Sequence, residues 1–243
     1  MQKDTENWFA SWFDTPFYHI LYKDRDYEEA VVFMKNLTQF LELKKNQTIL
    51  DLACGRGRHA LSLNELGFDV TGVDLSAESI LYAKSFENDT LRFDVHDMCK
   101  PYHRKFDAVF NLFTSFGYFE KEEDNFRTIS AIKANLKEGG KGVIDFMNVH
   151  YVKENLVERE VKKVGKITFH IHRYIKDGYI FKDISFEDNN ENYFFTEKVK
   201  ALTLEEFMAY FKKAGIELLC TFGNYNLEAY NLTKSPRLIL IFS

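Results

Sequence analysis

Residues 49–60 read ILDLACGRGRHA, and this stretch sets the expected architecture of the chain. A short apolar run that contains Asp51 is followed at once by a loop of small residues, Ala53 to Gly57, and then by helix-compatible sequence. A strand that leads through a glycine turn into a helix presents unpaired backbone N–H groups beside the positive end of the helix dipole. Nucleotide-like ligands bind at such places, outside the carboxyl ends of the strands in open α/β sheets.

Asp51 narrows the kind of ligand that this loop would hold. A carboxylate repels a pyrophosphate because both carry negative charge, so its presence predicts a cationic ligand group. The run from Gly55 to Ala60 also satisfies the G-x-G-x-x-G/A pattern of dinucleotide sites. That pattern is weak by itself, because a helix-entry turn can need two glycines for backbone reasons alone.

Composition excludes several classes of protein. The 243 residues suffice for one sizeable domain, and a formal net charge of −5 argues against a nucleic-acid partner. Cys54, Cys99 and Cys220 show no CxxC spacing, which predicts neither a disulfide framework nor a zinc cluster. The N-terminus is too polar for a signal peptide, and no apolar run approaches the ~18 residues of a membrane span. We therefore expect a cytoplasmic protein that binds no membrane and holds no metal.

Strands alternate with helices through residues 44–150, which predicts right-handed βαβ units and a parallel sheet. A capping box from Thr203 to Glu206 begins a later helix, and residues 216–221 and 237–242 form an expected antiparallel pair. The predicted strands of the first part are residues 49–52, 68–73, 91–95, 106–113 and 142–147, and the predicted helices are 58–66, 79–86 and 122–136.

Residues 151–200 follow another pattern, because four strand-like segments occur there without an intervening helix. Ile167, Phe169 and Ile171 share one face of such a segment, whereas Thr168, His170 and His172 share the other. This alternation predicts a half-solvated antiparallel meander that covers one edge of the site. No third ligand accompanies the two histidines, so a metal site is not predicted there.

Residues 1–43 are expected to form a helical lid. Trp8, Phe9, Trp12 and Phe13 form two aromatic pairs at i,i+4 spacing. A helix is predicted over residues 26–41, with Ala30, Phe33, Leu37 and either Phe40 or Leu41 on its buried stripe. The cofactor domain would then comprise residues 44–150 and 201–243, with the meander inserted between them.

Two further acidic residues stand at the ends of predicted strands. Asp74 follows the second strand, where a carboxylate can accept hydrogen bonds from both ribose hydroxyls. Asp97 follows the third strand and can accept from an adenine amino group, while the backbone N–H of Met98 can donate to a ring nitrogen. A nucleoside that also carries cationic sulfonium and ammonium groups fits these acids together with Asp51, and S-adenosylmethionine is such a ligand.

The chain resembles the class I S-adenosylmethionine-dependent methyltransferases over nearly its full length, in the ordered motifs ILDLACGRGRHA, VTGVDLS, VHDM, FDAVFNLFTSFGYF and LKEGGKGVIDF. Ala53 stands where the first motif of that family, D-x-G-x-G-x-G, has its first glycine. The resemblance implies a doubly wound, seven-stranded, mostly parallel α/β sheet whose last strand is antiparallel. By position, it implies that the methionine portion contacts Asp51, Gly55 and Gly57, the ribose Asp74, and the adenine Asp97 and Met98. The remaining expected cofactor contacts are Ala53, Leu75, Asn111, Tyr18 and Tyr22.

A narrower branch, the small-molecule methyltransferases that include glycine and amino-sugar N-methyltransferases, is similar in two segments. These are FTSFGYF at residues 113–119 and YKDRDY at residues 22–27. The resemblance implies methyl transfer to N or O of a small acceptor, with S-adenosylhomocysteine as the product. Tyr118 and Tyr22 are the candidate catalytic residues, and Ser115, Tyr118 and Asn148 are the candidate substrate contacts.

Two other hypotheses remain open on the sequence. An NAD-dependent oxidoreductase would also use Gly55, Gly57 and Asp74, although Asp51 and Asp97 speak against it. A noncatalytic cofactor-binding interaction module would use the aromatic N-terminus as a docking surface. Both a monomer and a homodimer are compatible with the sequence.

Overall fold

A computed structural model describes residues 12–23 and 27–243 of the chain. Within these residues one sheet comprises β1 (Thr48–Leu52), β2 (Asp69–Asp74), β3 (Leu91–Val95), β4 (Phe106–Asn111), β5 (Leu136–Met147), β10 (Leu218–Phe222) and β11 (Arg237–Phe242). A second sheet comprises β6 (Arg159–Val164), β7 (Ile167–Lys176), β8 (Tyr179–Asp188) and β9 (Glu191–Lys200). The helices are α1 (Pro16–Leu21), α2 (Tyr27–Phe40), α3 (Arg58–Glu65), α4 (Ala77–Ala83), α5 (Glu122–Asn135), α6 (Val149–Glu154) and α7 (Leu204–Ala214), and a 3₁₀ turn (Lys84–Phe86) follows α4.

The larger sheet has the strand order β10-β11-β5-β4-β1-β2-β3. β11 runs antiparallel to both of its neighbours, and the other ladders of this sheet are parallel. The expected seven-stranded sheet with a reversed last strand is confirmed. The strand order changes direction between β1 and β4, and ligands of open α/β sheets bind outside the carboxyl ends at such a switch point.

Apolar side chains fill both faces of this sheet, as expected of strands that are covered on both sides. Phe33 of α2, Leu63 of α3 and Ile80 of α4 belong to the cluster on one face. Ile132 of α5 and Phe207 of α7 belong to the cluster on the other. The sheet is therefore doubly wound, and its strand ends are held rigidly.

The second sheet is the predicted antiparallel meander, in the order β6-β7-β8-β9. Phe169 and Ile184 are completely buried on its inner face, where they join the cluster that contains Trp12 and Leu21. These two residues belong to residues 12–23, which we call the N-terminal segment. The meander thus packs its apolar face against that segment, while His170 and His172 on the outer face are exposed.

Several predicted boundaries differ from the structure. α5 ends at Asn135 and β5 begins at once with Leu136, because the strand pairs with β4 on both sides of a register irregularity. Of the alternatives on α2, Leu41 packs against the core, whereas Phe40 is 47% exposed. The helix α6 was missed. The predicted pairs at Trp8 and Phe9 lie outside the described residues.

Candidate functional site

A cavity of about 570 Å³ opens at the carboxyl edge of the large sheet, beneath the N-terminal segment. Its walls come from the loops after β1 to β4, from residues 13–23 and from β9. Of the predicted site residues, those that line it are Tyr18, Tyr22, Ala53, Gly55, Asp74, Leu75, Asp97, Met98, Ser115 and Tyr118. Asp51, Gly57, Asn111 and Asn148 are not among the lining residues.

Three alternate residues of the loop after β1 have left-handed backbone. Ala53, Gly55 and Gly57 have φ values of 63°, 56° and 83°. At Gly57 an added Cβ would lie 2.7 Å from the ring of Phe93, so this residue packs against the core instead of facing the cavity. Gly57 therefore shapes the loop, because its conformation and its close packing both exclude a side chain.

Asp74 ties the end of β2 to this loop. Its Oδ2 accepts a hydrogen bond from Gly55 N at 2.8 Å, and its Oδ1 accepts from Ser76 N at 2.8 Å. Burial raises the pKa of the Asp74 carboxyl, although these N–H groups act in the opposite direction. Each carboxylate oxygen has a second lone pair, so Asp74 can still accept from two ligand hydroxyls.

Asp97 lies farther along the same edge and is more exposed. Its Oδ1 accepts from Cys99 N at 2.9 Å, and its Oδ2 lies 3.2 Å from Lys100 Nζ. Burial opposes ionisation, but the Cys99 N–H and the Lys100 ammonium lower the pKa of Asp97 below its usual value. Asp97 is therefore an ionised acceptor beside Met98 at neutral pH.

Asp51 and Asn111 lie below the cavity floor on the adjacent strands β1 and β4. They are 1% and 0% exposed. Within residues 12–23 and 27–243, Asp51 Oδ2 and Asn111 Oδ1 have no hydrogen-bond partner. Burial, with the charge of Asp74 as a further cause, raises the pKa of Asp51 to about 7. Each orphaned acceptor creates a demand for a donor, and the Asp51 carboxylate can also meet it with a cation.

Aromatic rings form part of the cavity wall. The rings of Phe13 and Tyr118 are 5.6 Å apart, those of Phe13 and Tyr18 are 4.9 Å apart, and those of Tyr18 and Tyr22 are 4.9 Å apart. This series joins the N-terminal segment to the loop after β4. It supplies an apolar enclosure that excludes water from the space above the carboxylates.

Glu197 of β9 lines the same wall and connects the N-terminal segment to the meander. Its Oε1 accepts from Trp12 Nε1 at 2.8 Å and from Tyr22 OH at 2.7 Å. Lys182 Nζ lies 3.7 Å from Oε2 and also donates a hydrogen bond to the hydroxyl of Tyr22. A single carboxylate thus receives two donors from the N-terminal segment.

Sequence reasoning missed Glu197. Glu197 shares a strand face with the apolar residues Phe195 and Val199, and a carboxylate in such a series is the signal that could have revealed it. Arg56 and Arg58 also line the cavity, with their guanidinium groups over the rings of Tyr82 and Phe113.

The prediction that Asn148 contacts the substrate is wrong. Its side chain caps α6 by accepting from His150 N, and it donates to the backbone oxygens of Leu232 and Ser235 at 2.7 and 2.8 Å. The residue is 1% exposed and lies outside the cavity lining. Its position directly after β5 suggested a strand-end ligand, but the chain after β5 turns into α6 instead.

Comparison with known proteins shows what the chain is similar to. A family model described as a methyltransferase domain matches residues 49–140, from β1 to the start of β5. The chain is 33% identical over 132 residues to a glycine/sarcosine N-methyltransferase from Aphanothece halophytica, covering 51% of this chain and 48% of that protein. Residues 49–140 are thus similar to a methyltransferase domain.

The chain is also similar to a dTDP-3-amino-3,4,6-trideoxy-alpha-D-glucopyranose N,N-dimethyltransferase from Streptomyces venezuelae, 28% identical over 50% of this chain and 54% of that protein. The chain spans about half the length of these curated relatives. In overall fold it is similar to an S-adenosylmethionine-dependent methyltransferase from Clostridium acetobutylicum, with a TM-score of 0.76, 24% identity and 98% coverage of both chains.

The residues of this chain fit S-adenosylmethionine. The orphaned Oδ2 of Asp51 can accept from a buried ammonium group. Asp74 and Asp97 supply acceptors for hydroxyl and amino groups along the same edge. A purely phosphate-binding loop would leave the charge of Asp51 uncompensated.

Residues 12–23 and 27–243 show neither a metal-binding cluster nor a membrane-spanning helix. Among these residues, no group of three or more His, Cys, Asp or Glu side chains could hold a metal ion. None of the described helices combines the length and apolar character that crossing a membrane requires.

Proposed function

We propose that this chain transfers a methyl group from S-adenosylmethionine to a nitrogen atom of a small-molecule amine, with a hydroxyl oxygen as the alternative acceptor atom. The observation that carries the proposal is that one cavity is lined both by acidic residues at the ends of strands and by aromatic rings of the N-terminal segment. The similarity to a glycine/sarcosine N-methyltransferase and to an amino-sugar N,N-dimethyltransferase favours nitrogen. Neither the matched family nor Asp51 favours the oxidoreductase or the noncatalytic module.

S-adenosylmethionine supplies an electrophilic methyl carbon on a sulfonium, whose leaving group is a neutral thioether that needs no acid. The protein therefore has to orient the acceptor within roughly 3–3.5 Å of that carbon and exclude water. We assign acceptor orientation to Tyr118 and Ser115, and enclosure to Tyr18 and Tyr22. An ammonium acceptor must also lose a proton before it attacks. The reaction rate should therefore rise with pH through the pKa of the acceptor.

The test is the release of S-adenosylhomocysteine from S-adenosylmethionine with a panel of acceptors. The panel comprises glycine, sarcosine, dimethylglycine, an amino-sugar nucleotide and their hydroxyl counterparts. We expect turnover with at least one amine and, at an S-adenosylmethionine concentration near the wild-type Kd, strongly reduced turnover with the Asp74→Ala variant. Tight S-adenosylhomocysteine binding without turnover on any acceptor would favour the noncatalytic module, and failure to bind it would overturn the proposal.

Tyr118→Phe tests the candidate catalytic residue directly. The change removes only the hydroxyl and keeps the ring that packs on Phe13 at 5.6 Å. We expect turnover to fall by about tenfold, the effect of one lost hydrogen bond that is made in the transition state, with the affinity for S-adenosylhomocysteine unchanged. Unchanged turnover would remove Tyr118 from the reaction.

The remaining parts of the proposal concern the setting of the enzyme. We place it in the cytoplasm, supported by three cysteines that are all free. We propose that it acts without a nucleic-acid partner, supported by the formal net charge of −5. We also propose domain boundaries at residues 43, 150 and 200. The first separates the lid from the cofactor domain, and the other two enclose the inserted meander.

A further inference from the structure

The loop after β4 carries strained backbone at the edge of the cavity. Phe113 and Thr114 are consecutive residues with φ values of 62° and 60°. Left-handed backbone is uncommon for side chains other than glycine, and for a β-branched threonine it is an outlier. Such a conformation persists only where surrounding contacts hold it. Because Phe113 and Ser115 line the cavity, the strain lies where the acceptor would bind.

Asp145 of β5 provides the contacts that hold this loop. Its Oδ2 accepts from Phe113 N at 2.8 Å, and its backbone oxygen accepts from Thr114 N at 2.9 Å. The N–H groups of both strained residues therefore end on the same residue. Asp145 is completely buried, so water cannot replace it as the acceptor.

Arg237 of β11 completes the arrangement. Its Nε donates to Asp145 Oδ1 at 2.8 Å, and its Nη2 lies 2.7 Å from the same oxygen. Nη2 also donates to Thr114 Oγ1 at 3.0 Å, and Tyr225 OH donates to Asp145 Oδ2 at 3.2 Å. The guanidinium thus contacts both the carboxylate and the loop that the carboxylate holds.

We propose that the buried Asp145–Arg237 pair is a positioning unit for methyl transfer, which fixes Phe113 and Thr114 in the left-handed conformation and thereby orients the acceptor wall of the cavity. Neither partner is among the residues that line the cavity in the described part of the chain, so the pair acts through the loop. A buried ion pair is by itself weak evidence for stabilisation. This pair also hydrogen-bonds to strained backbone, so it can hold the conformation of the loop. The inference rests on the proposed function, since it assigns the loop to the acceptor side of that reaction.

Asp145→Asn and Arg237→Lys test the unit. Asparagine keeps the size of the side chain but loses the charge, and lysine keeps the charge but loses the bidentate contact and the bond to Thr114. The measurements are hydrogen–deuterium exchange of the peptide spanning residues 113–115, the Kd for S-adenosylhomocysteine, and kcat and KM for the best acceptor of the panel. We expect exchange of the Phe113 amide to rise by about tenfold in Asp145→Asn, the effect of losing a charge-assisted hydrogen bond. We expect kcat to fall by about tenfold to a hundredfold, with the cofactor Kd within about twofold of wild type.

Rescue by glycine separates positioning from general stability. Glycine adopts left-handed backbone without help, so Thr114→Gly in the Asp145→Asn background should recover part of the lost kcat. If Asp145 contributed only to stability, this double variant would regain stability while its kcat stayed low. Should Asp145→Asn fail to fold, Arg237→Lys decides the question through the same exchange and kcat measurements.

Arg104→Lys is the matched control, because Arg104 pairs with Asp69 at 2.8 Å far from the cavity. Its exchange at residues 113–115 and its kcat should equal those of wild type. Folded Asp145→Asn and Arg237→Lys variants with wild-type exchange and wild-type kcat would overturn the inference. Wild-type protein that does not bind S-adenosylhomocysteine would instead overturn the proposed function, and the exchange measurement would still decide whether the pair holds the loop.

Discussion

Asp51 is buried and Asp74 is half-buried at the same sheet edge, and their surroundings suit the two carboxylates to different ligands. Asp74 receives backbone N–H groups on both oxygens, which fix its orientation toward the cavity. Asp51 has one oxygen with no partner in the described part of the chain, so its charge is incompletely compensated. The first is a preorganised acceptor for neutral hydroxyls, and the second is suited to a cation.

Asp74→Ala should weaken cofactor binding strongly. The substitution removes the acceptor of the Gly55 and Ser76 amides together with any contact to the ligand hydroxyls. Losing charged hydrogen bonds of about 1.5–3 kcal/mol corresponds to a rise in Kd of about tenfold to a hundredfold. Calorimetric titration with S-adenosylhomocysteine measures this change, and Asp94→Asn, at an earlier position of the next strand, is the control. An Asp74→Ala variant with wild-type Kd would exclude the ribose role.

Asp51 should make cofactor affinity depend on pH. Its pKa of about 7 exceeds the ordinary value of 3.8, so the folded protein holds this proton more tightly than the unfolded chain does. The stability that the protonated carboxyl contributes to the free protein is therefore present below about pH 4 and is lost as pH rises toward 7. An ammonium group bound at Asp51 favours the ionised form. We thus expect the affinity for S-adenosylhomocysteine to rise by about tenfold from pH 6 to pH 8.

The control for this pH profile is Asp51→Asn, which has no charge to titrate. Its affinity should be lower and independent of pH over the same range. If Asp51→Asn keeps the wild-type slope, another group carries the dependence and Asp51 does not face the ammonium.

At the scale of the elements, the meander and the N-terminal segment form one unit above the sheet. Apolar packing supplies most of the contact, since Trp12 and Leu21 join the buried face of β7 and β8. Glu197 adds a polar connection, because Trp12 and Tyr22 both donate to its Oε1. The enclosure of the cavity therefore depends on contacts between parts of the chain that are distant in sequence.

Glu197→Gln should loosen this enclosure. Glutamine keeps one acceptor oxygen but loses the charge that strengthens the bonds to Trp12 and Tyr22 and pairs with Lys182. We expect tryptic cleavage after Lys23 to become about tenfold faster, in line with the loss of charged hydrogen bonds that hold the segment closed. The control is Glu191→Gln on the same strand, whose exposed carboxylate accepts from Tyr193 of the same strand. Equal cleavage rates for Glu197→Gln and wild type would show that apolar packing alone holds the segment.

At the scale of the whole molecule, the ligand site lies where the strand order reverses between β1 and β4. Helices cover both faces of the sheet, so ligands approach at the open carboxyl edge. Binding there contacts loops from β1 to β4 at once. A ligand of this site should therefore stabilise the fold globally.

Thermal unfolding measures this coupling and separates the two cofactor hypotheses. S-adenosylhomocysteine at a hundred times its Kd should stabilise the protein by about 2.7 kcal/mol. For a chain of this size that corresponds to a rise in Tm of roughly 5–10 °C. NAD at the same concentration should leave the Tm unchanged, and an equal rise with NAD would restore the dinucleotide hypothesis.

Local sequence was sufficient to predict the architecture and the positions of the acidic residues at the strand ends. The strand–loop–helix at residues 49–60, the reversed last strand and the meander follow from periodicity and turn residues, which act over a few positions. Asp74 and Asp97 could be placed at the cavity because parallel strands end at one edge. The boundary between α5 and β5 was less well predicted. The glycines after the helix predicted a loop there, but the chain pairs with β4 from Leu136 onward.

Which side chains reach the cavity was decided by the tertiary structure. Asn148 ends a strand as Asp74 does, yet α6 turns it toward backbone oxygens near the C-terminus. Glu197 and Asp145 find their partners 185 and 92 positions away, at Trp12 and Arg237. The direction of a side chain at a strand end depends on the packing of segments remote in sequence, and no local periodicity carries that information.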